Sequence, residues 1–341
     1  MDIINLGQGP RWREWLKILG SHPDVKSVAV VSQDGDAAET GTGIRRHATL
    51  TRALQVVSEP VVILTGNAAN GGLQAVEALE AGLDIILDRP DTVSLAALRR
   101  LASLALKKNR AIVLTREDAT GSIASVLRSL RGKVGVISHV SYIDRRPWSD
   151  LGEGAADIPY LQLTRFGLDN LENLCSLFDA DPLRVLARCS RPPWSNAAQC
   201  TTTEVFLELE GNIQVQYFGS ATSSHREQSL WIEGDRGSLR SDGVAVLWRK
   251  RGWPKFVPWR WRPRATVDAK RRFAQAVSRS LTLLQQGRAS GPRAGAANRT
   301  ALSPLALLGS VIRSDEECRV VEVAAWTRSG PQDAAIATAG A

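Results

Sequence analysis

Over its first third the chain alternates short, continuously apolar runs with segments of helical period, and few architectures accept that rhythm. The candidate strands are Ile3–Leu6, Ser27–Val31, Val61–Leu64, Asp84–Leu87 and Ala111–Leu114. Runs this short and this apolar suit strands buried on both faces, as in a parallel sheet covered by helices. The intervening segments supply the cover. Between Ser94 and Leu106, residues Leu95, Leu98, Leu101, Ala102 and Ala105 fall on one helical face, and Arg99, Arg100 and Ser103 lie off it. A helix over Leu73–Ala81 ends at Gly82, which suits the left-handed position after a helix C-terminus. The pattern predicts βαβ units and an α/β fold with a parallel sheet.

After Gly132 the rhythm changes to longer, β-branched and aromatic runs at Val134–Ile143, Val205–Leu209, Ile213–Tyr217 and Ser229–Ile232. Turn residues Glu210-Gly211-Asn212 and Glu233-Gly234-Asp235-Arg236-Gly237 separate them, so hairpins of a largely antiparallel sheet are expected. Helices are expected over Leu168–Phe178 and Val267–Gln286. With 341 residues the chain exceeds the size at which one core usually stops growing. We therefore expect a first domain over 1–118, an α+β second domain over 119–328 and a frayed Ala- and Gly-rich tail over 329–341.

Composition narrows the class further. No apolar run reaches the roughly 18 residues of a membrane span, and the first strand begins too near the initiator Met for a signal core, so a cytoplasmic protein with no membrane partner is expected. Cys175, Cys189, Cys200 and Cys318 show no metal-ligand spacing, which favours reduced structural thiols and no metal.

Strand Ile3–Leu6 runs into Gly7-Gln8-Gly9-Pro10-Arg11-Trp12, and a helix follows with Trp12, Trp15, Leu16 and Leu19 on its buried side. In that context Gly7 and Gly9 let the backbone turn tightly and approach a pyrophosphate seated on the helix N-terminus. Pro10 fits an early helical position, where its missing N–H costs nothing. Trp12 stands where a third glycine would allow close helix–strand packing. These features predict a Rossmann-type domain binding NAD or NADP. The choice stays open: Ser32-Gln33 follows the second strand in place of the acid that grips the ribose of NAD, and the nearest arginines are Arg45 and Arg46.

The stretch from Glu77 to Pro90, EALEAGLDIILDRP, is similar to the segment "A-L-E-A-G-K-H-V-L-V-E-K-P" of the Gfo/Idh/MocA (glucose–fructose oxidoreductase and inositol dehydrogenase) family. The GxG turn, Val61–Leu64 with Thr65 after it, the helix over Leu95–Leu106 and the run Ser310–Val321 resemble family counterparts in order and spacing. The resemblance implies a Rossmann domain, then a domain with an open, mostly antiparallel sheet whose exposed face forms homo-oligomer contacts. It implies a nicotinamide cofactor, with Ser32 beside the ribose and Thr65, Asn67 and Asp88 along the cofactor, and a carbohydrate-like substrate.

Three family segments are altered. Arg89 replaces the lysine of E-K-P; a guanidinium cannot accept a proton near neutrality but can hold a carboxylate or an oxyanion, which points to an acidic substrate. In Gly167-Leu168-Asp169-Asn170-Leu171-Glu172, Asp169 stands where the family has His and Glu172 where it has Asp; near the fourth strand Asn70 or Gly71 replaces another His. Asp169 is thus the best remaining proton-handling group, with Arg89 and Glu172 beside it. The plainer alternatives are an Arg89 ion pair with Asp88 or Glu77, and a solvated helix face for Asp169 and Glu172, which lie three apart. His139 reads as structural, and nothing local singles out Tyr142 or Tyr160 as proton donors.

The net charge of +8 is unevenly spread, with ten Lys or Arg against one acid, Asp268, between Trp248 and Arg272. Trp248, Trp253, Trp259 and Trp261 are interleaved with these cations, and Trp259-Arg260-Trp261-Arg262 alternates with the period of a strand. Three uses fit, in order of preference: a structural or oligomer-facing strand, a wall of a substrate cleft, and a nucleic-acid surface, the last without any accompanying nucleic-acid fold signature. The functional expectation is an NAD(P)-dependent oxidoreductase acting on a sugar, sugar acid or related polyol. Its rival is a regulatory or binding protein that keeps the fold and has lost dehydrogenation.

Overall fold

The computed structural model describes residues 1–7, 10–31, 44–58, 60–65, 71–88, 95–115, 130, 132–151, 158–197, 199–259, 269–289 and 295–323. The chain divides into two compact units: the first holds 1–117, 269–305 and 326–341, the second 118–268 and 306–325. The return of 269–305 to the first unit does not follow from reading the chain as consecutive segments.

In the first unit the strands are β1 (Asp2–Gly7), β2 (Ser27–Val31), β3 (Arg45–His47), β4 (Val61–Thr65), β5 (Asp84–Leu87) and β6 (Ile112–Leu114). Among the described residues they form a six-stranded sheet in the order β3-β2-β1-β4-β5-β6, every pair parallel. Parallel pairs need crossovers, and helices α1 (Pro10–Leu19), α2 (Leu50–Leu54), α3 (Gly71–Glu80) and α4 (Leu95–Lys108) supply them. The short β3 and α2 carry too few apolar residues to show a period. Gly82 follows α3 at φ +77, as its place after the helix requires.

One face of this sheet is covered by a late segment. Helix α5 (Leu168–Phe178) belongs to the second unit; α6 (Ala269–Ala289) returns to the first, where Phe273, Val277, Leu281 and Leu284 join Ile3, Trp15, Leu19, Ile63 and Ile86 in one core. Each such aliphatic or aromatic side chain contributes about 1.5–3 kcal/mol on burial. Ser280 bonds back to Ala276 O and Thr115, so its hydroxyl is satisfied inside this core.

The second unit is built on β7 (Ile137–Pro147), β8 (Pro182–Ser190), β9 (Thr202–Leu209), β10 (Ile213–Ser223), β11 (Glu227–Gly234), β12 (Gly237–Ser241), β13 (Val246–Lys250), β14 (Val257–Pro258) and β15 (Val321–Glu322). Among the described residues they form a nine-stranded sheet, antiparallel except for the β7–β10 pair. The β9–β10 turn carries Gly211 and Asn212 at φ +77 and +61, a conformation that favours Gly and Asn. The first strand starts later than expected: Val134 lies in a helical turn, and β7 begins at Ile137. Gly135, at φ +82, breaks the run, and a Cβ there would stand 1.8 Å from the Asp235 carboxylate, which accepts the Val136 N–H.

Helix α7 (Gly295–Glu317) gives its later part to this unit. There Ser314 Oγ and Asp315 Oδ1 accept the backbone N–H groups of Ala187 and Cys189, extending the pairing of β8 beyond the two residues of β15. Alternation along the strands leaves the opposite face of the sheet open. One register row across it reads Leu186, Phe206, Gln216, Ser141, Trp231, Arg240 and Leu247.

Candidate active site

The order of the first sheet reverses direction between β1 and β4, where open parallel sheets bind ligands beyond the carboxyl ends of their strands. Gly7 ends β1 opposite Thr65 of β4, and α1 begins at Pro10, three positions later. The junction therefore sets a helix N-terminus, with its unsatisfied N–H groups, at the switch point, and this fits a dinucleotide pyrophosphate.

Beneath the junction is a polar layer in an apolar sheet. Thr65 Oγ1 donates to Asn5 Oδ1 at 2.9 Å, and both side chains are fully buried. Asp88 follows β5; its N–H donates to Leu64 O, and its carboxylate accepts from Trp15 Nε1 at 2.9 Å. Trp15 also meets Phe273 edge-on at 5.6 Å. The indole thus ties α1 to the end of β5, and the Asp88 carboxyl faces inward to α1. Of the other residues expected here, Gly9, Ser32, Asn67 and Arg89 lie outside the described residues.

In the second unit, a π-helical turn at Leu163–Gly167 leads directly into α5, and such turns are frequent at functional sites. Asp169 is half-buried in the first turn of α5, and Glu172 is buried one turn on. Between them Asn170 enters a buried network that sequence reasoning missed. Its Nδ2 donates to Asp144 Oδ2 at 2.9 Å and lies 3.4 Å from Tyr217 Oη; its Oδ1 accepts from Tyr142 Oη at 3.4 Å. Gln162 Nε2 donates to Tyr217 Oη at 2.6 Å.

Arg146 Nε closes the network, 3.1 and 3.2 Å from the two oxygens of Asp144, while its guanidinium lies 4.0 Å from the Phe166 ring centre. Gly219, register partner of Asp144, leaves the space that Gln162 fills.

The electrostatics follow from this burial. Desolvation raises the Tyr142 and Tyr217 phenols well above their ordinary value, and the Asp144 charge adds to it. Both stay protonated at neutral pH and serve as hydrogen-bonding groups. Tyr160, at φ +49, is likewise raised by burial and then by Asp315 and Glu316. Burial and then Asp315 push the Cys189 thiol up to about 12, which makes it a poor nucleophile. His139 is exposed on the open face of the sheet.

One signal for the network was in the sequence. Alternation from Val140 puts Tyr142 and Asp144 on the covered face of β7, so a charge was due to be buried there. Gln162 had no signal, because only the fold brings it opposite Tyr217.

Comparison with solved structures finds the same fold along nearly the whole chain. An inositol dehydrogenase homologue from Azotobacter vinelandii, complexed with NADH and myo-inositol, is 14% identical, with a TM-score of 0.70 over 94% of this chain and 97% of that one. The chain has the two-part fold of this structure. An oxidoreductase from Agrobacterium radiobacter, in complex with NAD+, L-tartaric acid and magnesium, is 13% identical with a TM-score of 0.68, covering 95% of this chain and 99% of that one. GenD2 from gentamicin A biosynthesis, in complex with NAD, is 18% identical with a TM-score of 0.64, covering 94% and 96%. No family model and no curated protein sequence matches the chain.

Proposed function

We propose that the protein is an NAD(P)-dependent oxidoreductase acting on a sugar, sugar acid or related polyol. The observation that carries this is the succession of β1 and α1 at the switch point of the parallel sheet. The nicotinamide supplies the hydride chemistry when bound. In this proposal Gly7, Gly9 and Pro10 seat the pyrophosphate, Ser32 lies by the ribose and Asn67 lines the cofactor, while Thr65 and Asp88 support that surface from the buried polar layer beneath it. Arg89 orients the substrate and Asp169 takes the hydroxyl proton, with Glu172 on the next turn of the same helix. Myo-inositol and L-tartaric acid, bound by two proteins of this fold, are a polyol and a hydroxy acid. A guanidinium at position 89, charged at any ordinary pH, favours the acid. The open face of the nine-stranded sheet is the proposed contact for a second copy.

Quenching of tryptophan emission by NADH or NADPH tests the nucleotide half. Turnover on a panel of polyols, aldonic acids and uronic acids tests the rest. Asp169→Asn should lower turnover about 10²–10⁴-fold and leave nucleotide binding intact; unchanged turnover sinks the assignment of Asp169. Arg89→Lys should weaken an acidic ligand by about 1.5–3 kcal/mol. If that variant instead gains activity on neutral polyols, position 89 marks a lost catalytic lysine. Nucleotide binding without turnover on any member of the panel favours the second reading, a regulatory protein, whose motive is the replacement of the lysine and histidine by Arg89 and Asp169.

A further inference from the structure

The β13–β14 hairpin leaves one aromatic side chain uncovered. Trp248 and Trp259 are occupied by Lys133, whose Nζ stands 5.1 and 4.2 Å from their ring centres. On the other face Trp231 packs edge-on against Phe256 at 5.4 Å, and Arg249 and Arg240 lie over these rings. The chain's own cations thus satisfy the aromatic faces that a stacked ligand would need. Trp253 is the exception: one side rests on Trp248, with ring centres 5.4 Å apart, and it is 46% exposed at the tip.

That tip is a rigid turn. Trp253 N–H donates to Lys250 O, Arg251 N–H to Arg236 O, and Gly252 takes φ +83 with nothing within 4 Å of where a Cβ would stand. Residues 250–255 are all exposed, and Lys250, Arg251 and Lys255 flank the indole, with exposed Arg236 on the adjoining turn. Among the described residues none of these four cations has an ion-pair partner. Nearby acids are already engaged: Asp235 accepts the Val136 N–H, and Glu233 accepts from Trp231 and Ser238.

We propose that this hairpin docks the protein on anionic lipid bilayers, with Trp253 entering the headgroup region and Arg236, Lys250, Arg251 and Lys255 facing lipid phosphates. An amphipathic ring at a fixed apex, ringed by cations on flexible stems, matches the depth and charge of that interface. Single-stranded nucleic acid would instead require several open rings along a groove, and among the described residues of this hairpin only one is open. The expectation of no membrane partner rested on the lack of a spanning segment. No described helix is long and apolar enough to cross a membrane, and peripheral docking needs none.

Co-sedimentation of the full chain with phosphatidylglycerol–phosphatidylcholine vesicles, against phosphatidylcholine alone, tests this. Binding should require the anionic lipid and weaken with salt. Reversing Lys250, Arg251 and Lys255 together to Glu should lower partition at least about a hundredfold, and Trp253→Ala about tenfold. Brominated lipid should quench the parent more than Trp253→Phe. Equal recovery with neutral vesicles, or variants that bind as the parent does, overturns the proposal. So does tighter binding of a single-stranded oligonucleotide through the same residues, which would make the tip a nucleic-acid surface.

Discussion

Gly219 shows how one missing side chain decides the interior of the second unit. An added Cβ would stand 1.9 Å from Gln162 Nε2, and Gln162 is fully buried with its amide on Tyr217 Oη. Gly219→Ala should therefore destabilise the protein by about 1–3 kcal/mol, the usual cost of overpacking. In a Gln162→Ala background the same change should cost less, because the clash is gone. Urea unfolding of the four proteins checks this, and equal penalties in both backgrounds would show that Gln162 is not the obstacle. The motif Gly167–Glu172 carries the same lesson for the site. Its two acids drew attention, and it is Asn170 between them that bonds to Asp144 and Tyr142. An Asn has no sequence mark that separates a buried hub from a surface amide.

At the scale of elements, turns were more readable than edges: those expected at 210–212 and 233–237 join β9 to β10 and β11 to β12. The β12–β13 turn is held by Asp242, whose Oδ1 accepts the N–H groups of Val244 and Ala245 at 2.9 and 2.8 Å. Those bonds hold its carboxyl below the ordinary value of 3.8, against the smaller opposing effect of burial. A carboxylate with a depressed folded pKa stabilises fully above its unfolded value, and the contribution fades as pH falls through the folded one. Asp242→Ala should cost about 0.5–1.5 kcal/mol near neutral pH and progressively less below 3.8. Thermal unfolding across that range reads it, and a penalty constant down to strongly acid pH would exclude the carboxylate as the cause. Strand β8 shows the opposite case: its outward Arg184, Leu186 and Arg188 carry mixed polarity, so the period is blurred, and α7 and β9 define it instead.

For the molecule as a whole, the open face of the nine-stranded sheet carries exposed apolar side chains that the chain's own core does not use. Phe206 is 51% exposed and Leu186 39% on neighbouring strands, in register with Trp231 and Leu247. Salt-bridged pairs border them, Arg184 with Glu208 and Arg145 with Glu227. An apolar centre inside a polar rim is the anatomy of a protein interface. The full chain should sediment as an oligomer, and Phe206→Arg should shift it toward monomer. A parent that stays monomeric at high concentration removes this face as a self-contact.

The sequence by itself determined the parallel first sheet, the strand–turn–helix at Gly7–Pro10 and the change to antiparallel pairing. Each rests on a local period or on backbone freedom at one residue, and both are written within a few positions of the chain. Only the tertiary structure decided that α6 closes the first unit, that Trp15 reaches Asp88, and that Asp144, Gln162, Asn170 and Tyr217 meet in one network. Those contacts join residues from 26 to 73 positions apart for the Asn170–Asp144 and Trp15–Asp88 bonds, and farther for α6. Complementary polarity there is a property of the folded pair, so neither partner's local sequence contains it.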